Sequence, residues 1–238
     1  MTNLNQTEIE SREPKATHRL GFLVDLILYI SVMFLIREIY FEGYHFLVSG
    51  LFWTFSTLAI AAWRMKARKV AWADIGLRQP KSLKRTLIIS GLILLGTIGS
   101  IMIFHLVKDH LPIRSEPDVT SVDSGAKFGE LKVNWWLFLS IMPFVLIESA
   151  LEEILDRGFL IHWLEQLFTK THVTTILAVL LQAALFGFRH SNDLSERSIT
   201  VGLIGLVMGI AYVTSGRNLW PLIIAHCVLN TMSMLDRV

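Results

Sequence analysis

From Thr86 to Val107 the chain runs without an Asp, Glu, Lys or Arg, and as a helix that stretch measures about 33 Å. Hydrocarbon in a bilayer is about 30 Å thick and offers a backbone amide no partner, so a run of this kind has to cross it as a helix. The pattern repeats. Apolar runs occupy Leu20 to Ile36, Tyr44 to Trp63, Trp135 to Ile147, Val173 to Phe188, Ser198 to Gly216 and Asn218 to Leu235, giving seven expected spans. With 53% hydrophobic and 18% charged residues and a mean hydropathy of +0.51, the composition is that of an integral membrane protein. The expected fold class is therefore all-α: a polytopic transmembrane bundle of about seven to eight helices. A flexible polar tail over residues 1–19 precedes a single membrane domain over residues 20–238.

Charge placement sets the orientation. Arg64, Lys66, Arg68, Lys69, Arg78, Lys81, Lys84 and Arg85 crowd the connection after the second run, opposed only by Asp74. The positive-inside rule puts this loop, and with it the N-terminus, in the cytoplasm of a multi-pass cell-membrane protein. Basic residues beside spans and a net charge of +2 do not suggest nucleic acid as a partner; membrane lipid is the expected surround. Cys227 is the only cysteine, which excludes an intrachain disulfide and a cysteine zinc cluster. Asp25 reads as an interface or helix-end carboxylate, Pro143 as a kink, and residues 108–132 as a polar loop of undisclosed role. Gly205 and Gly209 form a GxxxG pattern that Gly202 extends, a face suited to close helix contact.

Three sites carry polar groups where apolar ones are expected. Glu148 to Leu160 brings Glu148, Glu152, Glu153, Asp156 and Arg157 to the end of the uncharged run from Trp135. Ionisable groups at membrane depth mark function, although charge at a helix end also simply marks the water boundary. Four-residue spacing puts Glu148 and Glu152 on one face and lets Glu153 pair with Arg157. The second site is Phe186 to His190, and the third is His226 with Asn230, which again share one face. A turn near Thr171 lies 19 residues after Glu152 and 19 before His190 (171 − 152 and 190 − 171). An antiparallel helix pair therefore brings those two side chains to the same depth.

Glu152-Glu153-Ile-Leu-Asp-Arg157, Phe186-Gly-Phe-Arg-His190 and His226-Cys-Val-Leu-Asn230 match EExxxR, FxxxH and HxxxN in order. In this the chain resembles the CAAX prenyl endopeptidase and bacteriocin-processing (CPBP, or Abi) family of intramembrane proteases. Arg157-Gly-Phe-Leu160 and the upstream Asp74-Ile-Gly-Leu-Arg78 strengthen the likeness, which covers roughly residues 70–235. Asp156 and Arg189 depart from it, placing charge where the family more often has apolar residues.

The resemblance implies a catalytic half over residues 135–235, with the site between the C-terminal helices. It implies that Glu152 acts as general base, that His190 orients and activates water, and that His226 and Asn230 donate to the oxyanion. Glu153 and Arg157 fall to structural support, and no role is assigned to Glu148. The implied substrate is a membrane-associated peptide or a lipidated protein. No metal is expected; the alternative is zinc on Glu152, His190 and His226, a ligand set able to hold an activated water. A different function class also fits a buried polar cluster, a non-catalytic membrane immunity or partner-binding protein. The remaining histidines, His18, His45, His105, His110, His162 and His172, read as interface or loop residues.

Overall fold

A computed structural model describes residues 3–41, 46–111, 132–168, 171–191, 193 and 195–238, with side chains from Arg19 onward. Its elements are α1 (Asn3–Leu35), with a 3-10 turn Ile36–Glu38, α2 (Phe46–Arg68), α3 (Leu83–Val107), α4 (Trp135–Glu152), a π-helical segment Glu153–Leu160, α5 (Ile161–Phe168), α6 (His172–Ser191), α7 (Glu196–Thr214) and α8 (Trp220–Leu235). The π segment joins α4 to α5 without a break, so these elements make seven helical rods, and no strand occurs among the described residues. The fold is an all-α polytopic bundle.

Five rods are long and apolar enough to cross a bilayer by length and composition: Arg19–Glu38, Phe46–Arg68, Leu83–His110, His172–Ser191 and Glu196–Thr214. Trp220–Leu235 is an apolar helix shorter than these; its 16 residues reach about 24 Å, less than the hydrocarbon thickness. Most of the large apolar side chains on α3 point outward, Leu87, Leu92, Leu95, Met102 and Leu106 among them, the surface a bilayer would cover. Pro143 lies inside α4 and the helix runs on through it. The departure from α geometry comes later, at Glu153. Of the loop expected over residues 108–132, residues 112–131 lie outside the described residues.

The interior is organised by the π segment and α5. All eight residues of Glu153–Leu160 are buried, so neighbouring elements enclose this i→i+5 segment on every side. Phe159 stacks on Trp163 with ring centroids 4.1 Å apart, Tyr29 lies 4.7 Å from Phe159, and Phe22 meets Trp163 edge-on at 5.5 Å. The α1 helix is thereby fixed against α5.

Asp25 is fully buried within the protein, receiving Arg64 at 2.7 Å, Arg68 at 2.8 Å and the Trp163 indole at 3.3 Å. Those partners sit on α2 and α5, so one carboxylate ties three helices together and its own charge is answered twice. Glu165 does the same work between α5 and the turn after α7, taking both guanidinium nitrogens of Arg217 at 2.7 and 2.8 Å.

The segment around Asp74 to Arg78 docks on the half that follows it. Ile75 is wholly buried, its carbonyl accepts the Tyr212 hydroxyl at 2.9 Å, and the Gly76 carbonyl accepts the Leu219 amide at 3.0 Å. Gly76 has φ +95°, and a Cβ there would stand 2.5 Å from the Arg217 carbonyl oxygen; only glycine suits both conditions.

Helices α6 and α7 approach each other closely, backbone to backbone. A Cβ on Gly187 would fall 2.4 Å from the Ser198 carbonyl oxygen, one on Gly205 3.1 Å from Phe186, and one on Gly209 3.0 Å from Val179. The small face expected on the penultimate span is thus packed against the helix that carries His190.

Candidate active site

Four elements deliver the polar side chains. The end of α4 supplies Glu148, Ser149 and Glu152, the π segment Glu153, Asp156 and Arg157, the last turn of α6 Arg189 and His190, and the middle of α8 His226 and Asn230. Glu152 is the point they share. Its Oε1 lies 3.0 Å from Arg189 Nη2 and 3.7 Å from His190 Nε2, and its Oε2 lies 3.8 Å from His226 Nε2. The two imidazole contacts are too long for direct hydrogen bonds.

Each histidine is oriented by its other nitrogen. His190 Nδ1 is 2.7 Å from the Phe186 carbonyl, which can only accept, so Nδ1 carries the proton and Nε2 turns its lone pair toward Glu152. His226 Nδ1 is 2.7 Å from Glu153 Oε1. The same Glu153 oxygen lies 3.1 Å from Arg157 Nη1, in the four-residue pair expected from the sequence. Arg157 in turn packs its guanidinium 4.2 Å from the Phe186 ring centroid. Glu153 and Arg157 are both fully buried, and they touch His226 and Phe186 rather than the space between Glu152 and the histidines.

Asn230 points to α4. Its amide donates to Ser149 Oγ at 2.8 Å, and that hydroxyl donates to the Val145 carbonyl at 2.7 Å. One N–H of the amide is engaged there and the second is left for another acceptor. Glu148 faces Gly50 on α2, where a Cβ would stand 3.1 Å from its carboxylate. The Cys227 thiol is directed to the Leu146 carbonyl at 3.7 Å, away from Glu152.

Four participants escape the sequence reading. Arg189 and Asp156, there only departures from a pattern, meet over Glu152: Arg189 Nη2 is 3.0 Å from Asp156 Oδ2 and Nη1 3.4 Å from Oδ1. Arg37 donates to the Arg189 carbonyl, and Ser149 carries Asn230. The signal for the first pair was charge at adjacent motif positions. Arg37 gave none, since an arginine at a helix end is ordinary. Met33, Arg37, Trp53, Thr54, Thr57, Glu152, Leu155 and Arg189 line a crevice of about 20 Å³, room for one water. It reaches Glu152 from the α1–α2 side. A separate cavity of about 360 Å³, lined by Asp74, Arg78, His162 and Arg217 among others, lies at the basic end.

A divalent ion on Glu152, His190 and His226 would meet Arg189 already seated on Glu152 Oε1, and among the described residues no three His, Cys, Asp or Glu side chains are gathered in ligating geometry. The donor types suit zinc; their arrangement around a guanidinium does not.

Residues 134–232, from just before α4 into the last turns of α8, match the family model described as type II CAAX prenyl endopeptidase Rce1-like. No curated protein and no solved structure matches the chain.

Proposed function

We propose, from the premise that over residues 134–232 this chain belongs to the CPBP family of membrane proteases, that it is an intramembrane endopeptidase hydrolysing a peptide bond in a membrane-associated or lipidated substrate. The observation that carries the reading is the convergence of His190 and His226 on one carboxylate, at 3.7 and 3.8 Å from Glu152. Peptide hydrolysis needs a base for water, a route for its proton and donors for the tetrahedral oxyanion. A water between Glu152 Oε1 and His190 Nε2 gives one proton to the carboxylate while the imidazole lone pair accepts the other as a hydrogen bond. The nucleophile is thus aimed as well as activated. His226 donates from Nε2 when its ring holds both protons, and Glu153 at Nδ1 supplies the counter-charge for that form. Asn230, braced by Ser149, contributes its second N–H.

The reaction is proposed to be metal-free, because Arg189 already supplies a counter-charge to the Glu152 carboxylate. The N-terminus and the basic connection after α2 are proposed to face the cytoplasm. Glu152 is reached past Met33 and Arg37 near the far end of α1, so this orientation turns the crevice away from the cytoplasm.

Purified full-length protein offered membrane-tethered peptides should lose hydrolysis on Glu152→Gln and on His190→Ala, with the fold retained. Unchanged turnover in both variants would sink the peptidase assignment and favour the non-catalytic binding protein.

A further inference from the structure

A single guanidinium nitrogen, Arg189 Nη2, lies 3.0 Å from Glu152 Oε1 and 3.0 Å from Asp156 Oδ2. Both carboxylates come from the same helical rod four residues apart, and the arginine comes from the helix that carries His190. The fork is gripped on its other sides too. Its second nitrogen is 3.4 Å from Asp156 Oδ1 and 3.6 Å from the Met33 sulfur, its plane lies 5.3 Å from the Phe186 ring centroid, and Arg37 holds the backbone carbonyl. Asp156 is 1% and Arg189 5% exposed.

We propose that Asp156 and Arg189 form a positioning pair for Glu152: Asp156 fixes the guanidinium fork, and the fork fixes Oε1 so that the remaining lone pairs of Glu152 face His190 and His226. The proposal rests on the peptidase reading. An arginine bonded to Glu152 alone would travel with it from rotamer to rotamer. Bound also to Asp156 through two nitrogens, a geometry lysine cannot reproduce, it becomes a fixed abutment. The charge balance points the same way. The guanidinium 3.0 Å from Glu152 favours the ionised form a base requires. Without Arg189, two like charges would share the site unanswered. A purely architectural ion pair between these helices would need only Asp156 and Arg189; the Glu152 contact adds nothing to such a pair.

Kinetics on the purified full-length chain test it, with kcat, KM and melting temperature measured for Arg189→Leu, Arg189→Lys, Asp156→Asn and the double variants, and Glu152→Gln as reference. Arg189→Leu is expected to lower kcat about 100-fold, the order lost when a reacting group is misplaced by an ångström, with KM changed less than about twofold, as befits a loss felt in the chemical step. Asp156→Asn is expected to lower kcat about tenfold alone and less than about twofold on top of Arg189→Leu, because it then has no fork to hold. Arg189→Lys, which retains the buried charge, should fall between parent and Arg189→Leu, and it supplies the same comparison with Asp156→Asn where the leucine variant does not fold. Equal costs of Asp156→Asn in both backgrounds, or an Arg189 effect confined to KM, would overturn the pair's role. Turnover surviving Glu152→Gln would instead remove the peptidase reading. An inactive Glu152→Gln beside fully active Arg189 and Asp156 variants removes the pair alone.

Discussion

Gly187→Ala places one methyl group where two helices touch, and its consequence for His190 can be worked out. The added Cβ would sit 2.4 Å from the Ser198 carbonyl oxygen and 3.0 Å from the Gly202 Cα and N. All three are backbone atoms, so no side chain can swing aside. Reaching 3.0 Å requires about 0.6 Å of separation (3.0 − 2.4), and ordinary contact at 3.4 Å requires about 1.0 Å (3.4 − 2.4). Overpacking of this kind costs about 1–3 kcal/mol. The displacement falls one turn before His190, whose Nε2 stands 3.7 Å from Glu152, and a shift of about 1 Å at a reacting group can remove about 100-fold in rate. The assay is peptide hydrolysis and thermal unfolding in detergent. Gly99→Ala serves as the control, since a Cβ there meets nothing within 4 Å. Expected are a lower melting temperature and a fall in kcat of about 100-fold for Gly187→Ala, with Gly99→Ala near the parent in both. A Gly187→Ala protein as stable and as active as the control would refute the claim that α6–α7 contact sets the position of His190.

Glu153→Gln should destabilise by about 3–5 kcal/mol, because it strands the buried Arg157 charge as well as loosening His226; denaturant unfolding measures it, and a loss below about 1 kcal/mol would contradict the pairing. Asp25→Asn should cost about 1.5–3 kcal/mol, less than a sealed pair, because Arg64 and Arg68 keep 19% and 24% of their side-chain surface exposed. Turnover should survive exhaustive chelation and gain nothing from added zinc; loss on chelation with recovery on zinc would overturn the proposal of a metal-free mechanism. In a Cys227→Ser background, a cysteine at exposed Lys81 should be labelled only from the cytoplasm and one at exposed Val133 only from the opposite face, and the reverse pattern would invert the proposed orientation.

The helical rods were legible because uncharged runs leave few other options in a bilayer, and the pairing of Glu153 with Arg157 because four-residue spacing has one meaning on a helix. Depth matching of Glu152 and His190 followed from counting about Thr171, although part of the rod is π rather than α; both arms keep the two side chains near one level. The partners of Asp25 were not legible, since burial of its carboxylate depends on Arg64, Arg68 and Trp163, which come from 39 or more positions away (64 − 25). Arg189 and Asp156 were visible only as unexpected charges. That they answer each other across 33 positions and share Glu152 is a fact of packing, which no periodicity encodes.

The π segment makes the chain a measured length between two sets of anchors. Before it stand Ser149 and Glu152, set against α8 and α6; after it stand Trp163, bonded to Asp25, and Glu165, clasped by Arg217. Each residue of α-helix advances the azimuth by about 100°, so losing one residue within Glu153–Leu160 would not leave a local scar. It would rotate one set of anchors by more than a quarter-turn relative to the other, and either the Glu152 carboxylate or the Asp25 and Arg217 locks would face the wrong helix. Substitutions along this stretch are expected to be graded in effect, whereas changes of length are expected to be all or none.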